Sequence, residues 1–309
     1  MRCLILGGGG FLGSHLCQAL LSAGHIVRIF DLPNLQHVRE LPNENSVEWV
    51  YGSFLDIKDV KSALEDCDIV FHLISTTLPS SSNESPVYDV DTNITNTICL
   101  LDAACELGIT KIVFASSGGT VYGIPNEIPI SEAHPTNPIC SYGICKLAIE
   151  KYLHLYHIMH GLEYCILRMA NPFGERQRVS AGQGAVSAFL QKSLLGETIE
   201  IWGDGSVVRD YFYVADAASA LRKAADYSGS NRIFNIGSGV GRSLNEIIST
   251  IEGILGKSVS REYLPGRSFD VQENVLDISL ARDALDWKPE VSFEDGIAKT
   301  LAWIEEHAS

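Results

Sequence analysis

The chain has 309 residues, 46% of them hydrophobic and 20% charged, enough apolar material to bury a full core and too much for a disordered segment. Its formal net charge of -15, with an isoelectric point near 5.0, leaves no diffuse positive field and so excludes nucleic acid and anionic membrane surfaces as partners. An anionic small ligand would have to be held by local arginines or by a helix N-terminus.

From the N-terminus, Met1 leads directly into Cys3-Leu4-Ile5-Leu6 and then glycines. That apolar run is too short for a signal peptide or a membrane span, so a cytoplasmic protein is expected. Short apolar runs at 2–6, 26–30, 47–51, 68–73, 111–115 and 163–168 alternate with amphipathic stretches, the pattern of βαβ units and a parallel sheet. Helical spacing puts Leu12, Leu16, Ala19, Leu20 and Ala23 on one face. It does the same for Val87, Val90, Ile94, Leu101 and Cys105, so helices are expected on both sides of the sheet. After Asn171-Pro172-Phe173-Gly174 the alternation loosens into Gly-rich turns, short strands and helices near 183–196, 214–227, 243–255 and 293–305. The eight cysteines lack CxxC spacing and sit mostly in apolar runs; they read as reduced core thiols, and no metal site is expected.

The first predicted strand runs into Gly7-Gly8-Gly9-Gly10-Phe11-Leu12-Gly13 and then an amphipathic helix. In that setting Gly7 permits the tight turn, Gly10 lets backbone approach a pyrophosphate, and Gly13 lets helix and strand close up. Phe11 and Leu12 open the helix and are candidate cofactor contacts. Asp31 follows the second strand near the roughly 20-residue distance expected for a ribose-binding acid. Its charge would repel a 2'-phosphate, so NAD is preferred over NADP. The expected fold is α/β: a doubly wound parallel Rossmann sheet over 1–170 and a smaller α/β substrate-binding lobe over 171–309. The two should pack across a cleft, with the chain free to cross between them.

Tyr142 and Lys146 are four apart in Ser141-Tyr142-Gly143-Ile144-Cys145-Lys146 and share one face of a helix. An ammonium there, with a positive nicotinamide, would lower the phenol towards a range useful for proton transfer. Upstream, Ala115-Ser116-Ser117-Gly118-Gly119-Thr120-Val121-Tyr122-Gly123 is the end of a strand that should face the ligand crevice. Ser117 or Thr120 could bond a substrate hydroxyl; ordinary turn residues are the plain alternative.

On these motifs the sequence resembles the extended short-chain dehydrogenase/reductase family, in its sugar-nucleotide epimerase and dehydratase branch. The resemblance covers nearly the whole chain. It takes in the glycine loop, Asp31, Val70-Phe71-His72-Leu73, Asn93, Ser116-Ser117, the Tyr142/Lys146 pair, Asn171-Pro172, Gly203-Asp204-Gly205, Arg209-Asp210-Tyr211, Asn235 to Gly239, Arg267 and Asp270. It implies a homodimer through helices near 87–107 and 139–160, with Asn171, Arg209 and Arg267 on a nucleotide diphosphate and Asp270 near the ribose or base. It also implies that Leu32, Phe54, Leu73, Ile74, Ser75, Asn93 and Ala115 lie at the cofactor. Three places depart from the family pattern. Ser53 replaces an aspartate that touches adenine, Gly118 replaces the usual catalytic serine or threonine, and Met169-Ala170 replaces an aromatic pair.

The family's shared first step is oxidation at C4, with Tyr142 taking the hydroxyl proton. Dehydratases of the family then use an acidic pair, at places that here hold Gly119 and Thr120, so dehydration is disfavoured. A 4-epimerase is the leading reading, with UDP-N-acetylglucosamine/UDP-N-acetylgalactosamine or UDP-glucose/UDP-galactose as candidates. A sugar-nucleotide dehydratase or keto-sugar reductase of the same family and a non-catalytic NAD-binding protein are the alternatives. Asn274 matches a place where epimerases confined to unsubstituted hexoses carry a bulky aromatic, which implies room for an N-acetyl group.

Overall fold

The apolar runs of the first half become β1 (Arg2–Leu6), β2 (Ile26–Asp31), β3 (Val47–Tyr51), β4 (Ile69–His72), β5 (Lys111–Ser117) and β6 (Glu163–Met169). The computed structural model describes residues 1–33, 46–178, 184–266 and 271–307. Between these strands lie α1 (Phe11–Ser22), α2 (Ile57–Leu64), α3 (Pro86–Asp89), α4 (Asn96–Glu106) and α5 (Ser141–His160). Further along come strands β7 (Asn171–Phe173), β8 (Ile199–Trp202), β9 (Val208–Tyr213), β10 (Ile233–Ile236), β11 (Gly241–Ser243), β12 (Arg261–Leu264) and β13 (Glu273–Asn274). The helices among them are α6 (Ala185–Leu195), α7 (Val214–Asp226), α8 (Leu244–Leu255), α9 (Ser279–Ala284) and α10 (Phe293–His307).

Seven strands form one parallel sheet in the order β10-β6-β5-β4-β1-β2-β3. Alternate side chains enter opposite faces because the strand period is two. Ile5, Ile29 and Phe71 pack with Leu16 and Leu20 of α1 and Leu221 of α7. Leu6, Phe30 and Val70 pack on the other face with Leu64 of α2, Leu101 of α4 and Ile149 of α5. This double cover explains why the strands read as continuous apolar runs rather than as alternating ones. From β1 the chain winds outward to β3 and then crosses back to β4, so strand order reverses between β1 and β4. A crevice opens there beyond the carboxyl ends of the strands.

Past residue 170 the chain builds a second, smaller set of strands. β9 pairs with β11, β13 and β7, while β8 pairs with β12. Phe173, Leu190, Ile201, Tyr211, Ile248 and Ile297 fill the core between these strands and α6, α8 and α10. The chain also returns, since β10 adds itself to the large sheet beside β6. No described helix is long and apolar enough to cross a membrane.

One helical reading needs correction. Val87 and Val90 are 73% and 41% exposed, whereas Leu101 is buried, so these residues do not share a face. The cause is the π-helical segment Val90–Thr95 between α3 and α4. Its wider i→i+5 turns break the 3.6-residue phase on which that stripe was counted.

Candidate active site

The glycine loop connects β1 to α1 at the crevice. Gly7 has φ 84, a left-handed conformation that L side chains rarely adopt. Gly10 is the N-cap of α1 and provides no side-chain cap, so the first helical turn keeps its N–H groups for a ligand. A Cβ on Gly13 would lie 2.4 Å from the Gly7 carbonyl oxygen and 2.5 Å from Gly8 Cα. Asp31 at the end of β2 accepts from Gly9 N–H at 2.8 Å and from Leu32 N–H at 2.9 Å, which orients its carboxylate beside the loop.

Gly7, Gly10, Asp31, Leu32, Ser53, Phe54, Leu73, Ile74 and Ser75 line one cleft of about 450 Å³. The walls fit an adenine dinucleotide: a carboxylate at the second strand, an uncapped helix start at the switch point, and apolar residues after β4. Thr76 and Tyr88 also line it, and no sequence signal marked them. Phe11, Leu12, Asn93 and Ala115, also expected at the cofactor, are not among the residues lining this cleft. The Phe11 and Leu12 side chains are partly buried and pack against the hydrophobic cores. The Asn93 side chain accepts from Thr76 N–H at 3.1 Å and donates to Thr76 Oγ1 at 2.7 Å, bracing the cleft wall from behind. Ala115 contributes its carbonyl oxygen, which accepts from Lys146 Nζ at 3.0 Å. Ser53 Oγ accepts from Leu55 N–H at 3.2 Å within its own turn.

Tyr142 and Lys146 sit one turn apart on α5, with Lys146 Nζ 5.5 Å from the centre of the phenol ring and 4.7 Å from that of Phe114. Lys146 is buried, and burial pulls its ammonium down to about 8 against the opposing pull of Asp89. The expected lowering of the phenol is not found in the chain by itself. Burial pushes Tyr142 up, Cys140 and Asp89 add to the rise, and the Ser75 hydroxyl opposes it. Desolvation of the phenolate outweighs a lysine that stands beside the ring rather than against the hydroxyl.

Ser117 ends β5, and its carbonyl oxygen accepts from Thr120 N–H at 3.3 Å and Val121 N–H at 3.1 Å, closing the turn that carries Gly118 and Gly119. Thr120 Oγ1 is buried without a hydrogen-bond partner. A Cβ on Gly118 would fall 2.5 Å from Leu276 Cδ1 and 3.2 Å from the Arg168 carbonyl oxygen, so Leu276 fills the space that a serine there would need. Asn274 is 1% exposed, and its Nδ2 donates to the Gly118 carbonyl oxygen at 3.2 Å. Its Oδ1 is buried with no partner. Asn274 thus bonds the glycine that stands in the usual hydroxyl position, and Thr120 follows that glycine by two residues. Replacing Ser117 and Thr120 together with alanine is expected to slow turnover about 100-fold. A double variant that turns over like wild type would make both hydroxyls structural.

Among the residues implied for the diphosphate, Asn171 Nδ2 donates to the Asp210 carbonyl oxygen at 3.1 Å, and Arg209 Nη1 donates to the Val208 carbonyl oxygen at 2.8 Å. Asp210, absent from the expected site, is fully buried and accepts from Ser238 N–H at 2.7 Å and Gly239 N–H at 3.1 Å, joining β9 to the turn after β10. Arg267 and Asp270 lie outside the described residues.

Comparison with known proteins adds sequence and structural relatives. The model of the NAD dependent epimerase/dehydratase family matches residues 3–237. The putative UDP-glucose 4-epimerase of Methanocaldococcus jannaschii is 38% identical over 303 residues, 98% of each chain. The crystal structure of UDP-glucose 4-epimerase from Thermotoga maritima, with UDP-glucose, is similar with a TM-score of 0.93 and 33% identity, over 100% of both chains. The UDP-N-acetylglucosamine 4-epimerase of Methanobrevibacter ruminantium M1, in complex with UDP-N-acetylmuramic acid, is similar with a TM-score of 0.92 and 29% identity. That likeness covers 99% of this chain and 98% of the other.

Proposed function

Because the chain belongs to the NAD dependent epimerase/dehydratase family, we propose that it inverts C4 of a UDP-linked hexose through a transient 4-keto sugar. NAD is the cofactor. The observation that carries the epimerase reading is the pairing of Tyr142 and Lys146 behind a β5 turn that holds Gly119 and Thr120, with no carboxyl group for dehydration.

In this reading the Tyr142 hydroxyl, once deprotonated, takes the proton of the C4 hydroxyl and later returns it. When bound, NAD would supply the acceptor and returning donor of the C4 hydride. Lys146, anchored on the Ala115 carbonyl oxygen, holds positive charge beside the tyrosine and would bond a ribose hydroxyl of the cofactor. Ser117 or Thr120 orients the sugar hydroxyl in place of the residue missing at Gly118. Asn171, Arg209, Arg267 and Asp270 hold the nucleotide diphosphate and ribose, since guanidinium forks match phosphate geometry.

We further propose N-acetylhexosamines as substrates, with UDP-N-acetylglucosamine and UDP-N-acetylgalactosamine first. Asn274 supports this, because a small polar side chain beside Gly118 leaves room that a large aromatic would fill. Incubation with UDP, GDP, dTDP and CDP sugars, with C4 configuration followed by NMR, tests the reaction and the substrate together. No inversion with any of them would overturn the epimerase reading. Asn274→Tyr should lower kcat/KM for the N-acetyl sugar relative to UDP-glucose about tenfold or more. Taking the ratio within one protein cancels any loss of active enzyme, and an unchanged ratio would remove Asn274 from the gate.

A further inference from the structure

Asp89 closes α3, is fully buried, and was marked by no motif. Its Oδ1 accepts from Thr77 Oγ1 at 2.6 Å and from Asn93 Nδ2 at 2.9 Å, and its backbone carbonyl oxygen accepts from the same Asn93 amide at 3.0 Å. Asn93 in turn grips Thr76 through its N–H and its hydroxyl. The Thr77 carbonyl oxygen accepts from Ser75 Oγ at 3.1 Å, and Ser75 is the residue whose hydroxyl faces the Tyr142 phenol. One carboxylate therefore fixes the turn after β4, which forms the inner wall of the cleft.

The other oxygen faces a different element. Asp89 Oδ2 accepts from no nitrogen or oxygen donor, the Cys145 thiol of α5 lies against the carboxylate, and α3 packs against α5, the helix of Tyr142 and Lys146. A buried carboxylate with so few donors is costly, and such groups persist where a nearby positive charge or a function offsets the cost. Lys146 is the cation that its charge reaches.

We propose that Asp89 is a positioning residue of the Tyr142–Lys146 pair: its carboxylate ties the Ser75–Thr77 turn to Asn93 and is set against the helix that carries the lysine. The groups around this charge are Cys140, the N-cap of α5, and Tyr142, Cys145 and Lys146 of α5, with Glu150 one turn further along and His72 of β4, which Lys146 also influences. Burial drives Lys146 towards its neutral form, and Asp89 is the largest influence opposing it, ahead of Cys145 and Glu150. The same charge raises Tyr142, after burial and Cys140. Asp89 thus favours the protonated form of both members of the pair.

The assignment rests on the reading of Tyr142 and Lys146 as the catalytic pair, so the first readout needs no turnover. With ¹³C-labelled lysine, the Lys146 signal, identified by its loss in Lys146→Met, is titrated by NMR in the protein without substrate. The wild-type midpoint is expected near 8, and Asp89→Asn should lower it by about 1–3 pH units. Asp89→Ser serves for the same titration if the amide is not tolerated. An unmoved midpoint overturns the electrostatic role. Thr77→Val breaks the tie and leaves the charge. It should keep the wild-type midpoint while lowering kcat about tenfold with KM little changed, on the low side of what misplacing a reacting group costs. Wild-type kcat in Thr77→Val overturns the positioning role. In Asp89→Asn the alkaline limb of kcat should shift to lower pH together with the midpoint. A protein with no epimerase activity but a shifted midpoint would reject the catalytic reading and retain the Asp89 effect.

Discussion

Tyr142→Phe should lower kcat by about 10²–10⁴-fold, the usual contribution of a positioned proton-transfer group. The loss should be confined to chemistry. The ring keeps its place beside Lys146, whose anchor is the Ala115 carbonyl oxygen rather than the phenol. Melting temperature and NAD affinity should therefore stay close to wild type. Turnover followed by NMR, beside thermal unfolding and calorimetric titration of NAD, separates these quantities. Wild-type turnover in Tyr142→Phe would transfer the proton role to another group. Because burial holds the phenol above its ordinary value in the chain alone, turnover should rise with pH wherever deprotonation of Tyr142 limits it. That rise should vanish in the variant along with the activity.

The largest structural effect is expected at Gly13. A methyl group there meets backbone on two sides, the Gly7 carbonyl oxygen at 2.4 Å and Gly8 Cα at 2.5 Å, and neither can rotate away as a side-chain tip could. Gly13→Ala must push α1 off β1 or distort the loop, at a cost of about 1–3 kcal/mol or more. Either displacement moves the N–H groups at the start of α1, so NAD affinity should fall at least about tenfold while the melting temperature drops by several degrees. Gly253 in α8 is the internal comparison, since a Cβ there meets nothing within 4 Å. Gly253→Ala should stabilise by about 0.5–1 kcal/mol through helix propensity alone. Equal melting temperatures for the two variants would refute the close-approach argument.

The large sheet was legible because buried parallel strands are written as apolar runs with turn residues between them. The six runs of the first half became β1 to β6 with bounds shifted by at most a few residues. The glycine loop and Asp31 were legible because phosphate and ribose binding need particular residues at short range. What was not legible depended on distant chain or on depth. The place of Leu276 against Gly118 joins segments far apart in sequence, and only their packing shows that a serine there would have to displace the leucine. Asp89 has no motif, and its carboxylate gains meaning only from burial and from Thr77 and Asn93 around it. The rise of the Tyr142 phenol in the chain alone has a related reason: spacing reveals the neighbouring lysine but not the desolvation around the ring. The π-helical segment before α4 escaped because periodicity is read against one fixed turn.

The return of β10 to the large sheet bears on how the protein is made. In the finished molecule Ile166 N–H donates to the Arg232 carbonyl oxygen, and β10 covers the side of β6 that faces away from β5. During translation β6 emerges well before β10, with β7 to β9, α6 and α7 still to be synthesised between them. Throughout that interval a nascent sheet presents β6 as an open parallel edge, carrying apolar Ile166 and Leu167 and a row of unpaired peptide groups. Such an edge is a template for the same strand of a neighbouring nascent chain. Ribosome pausing between β6 and β10 lengthens the exposure, so rare codons placed there should raise the insoluble fraction while the same codons placed after β10 should not.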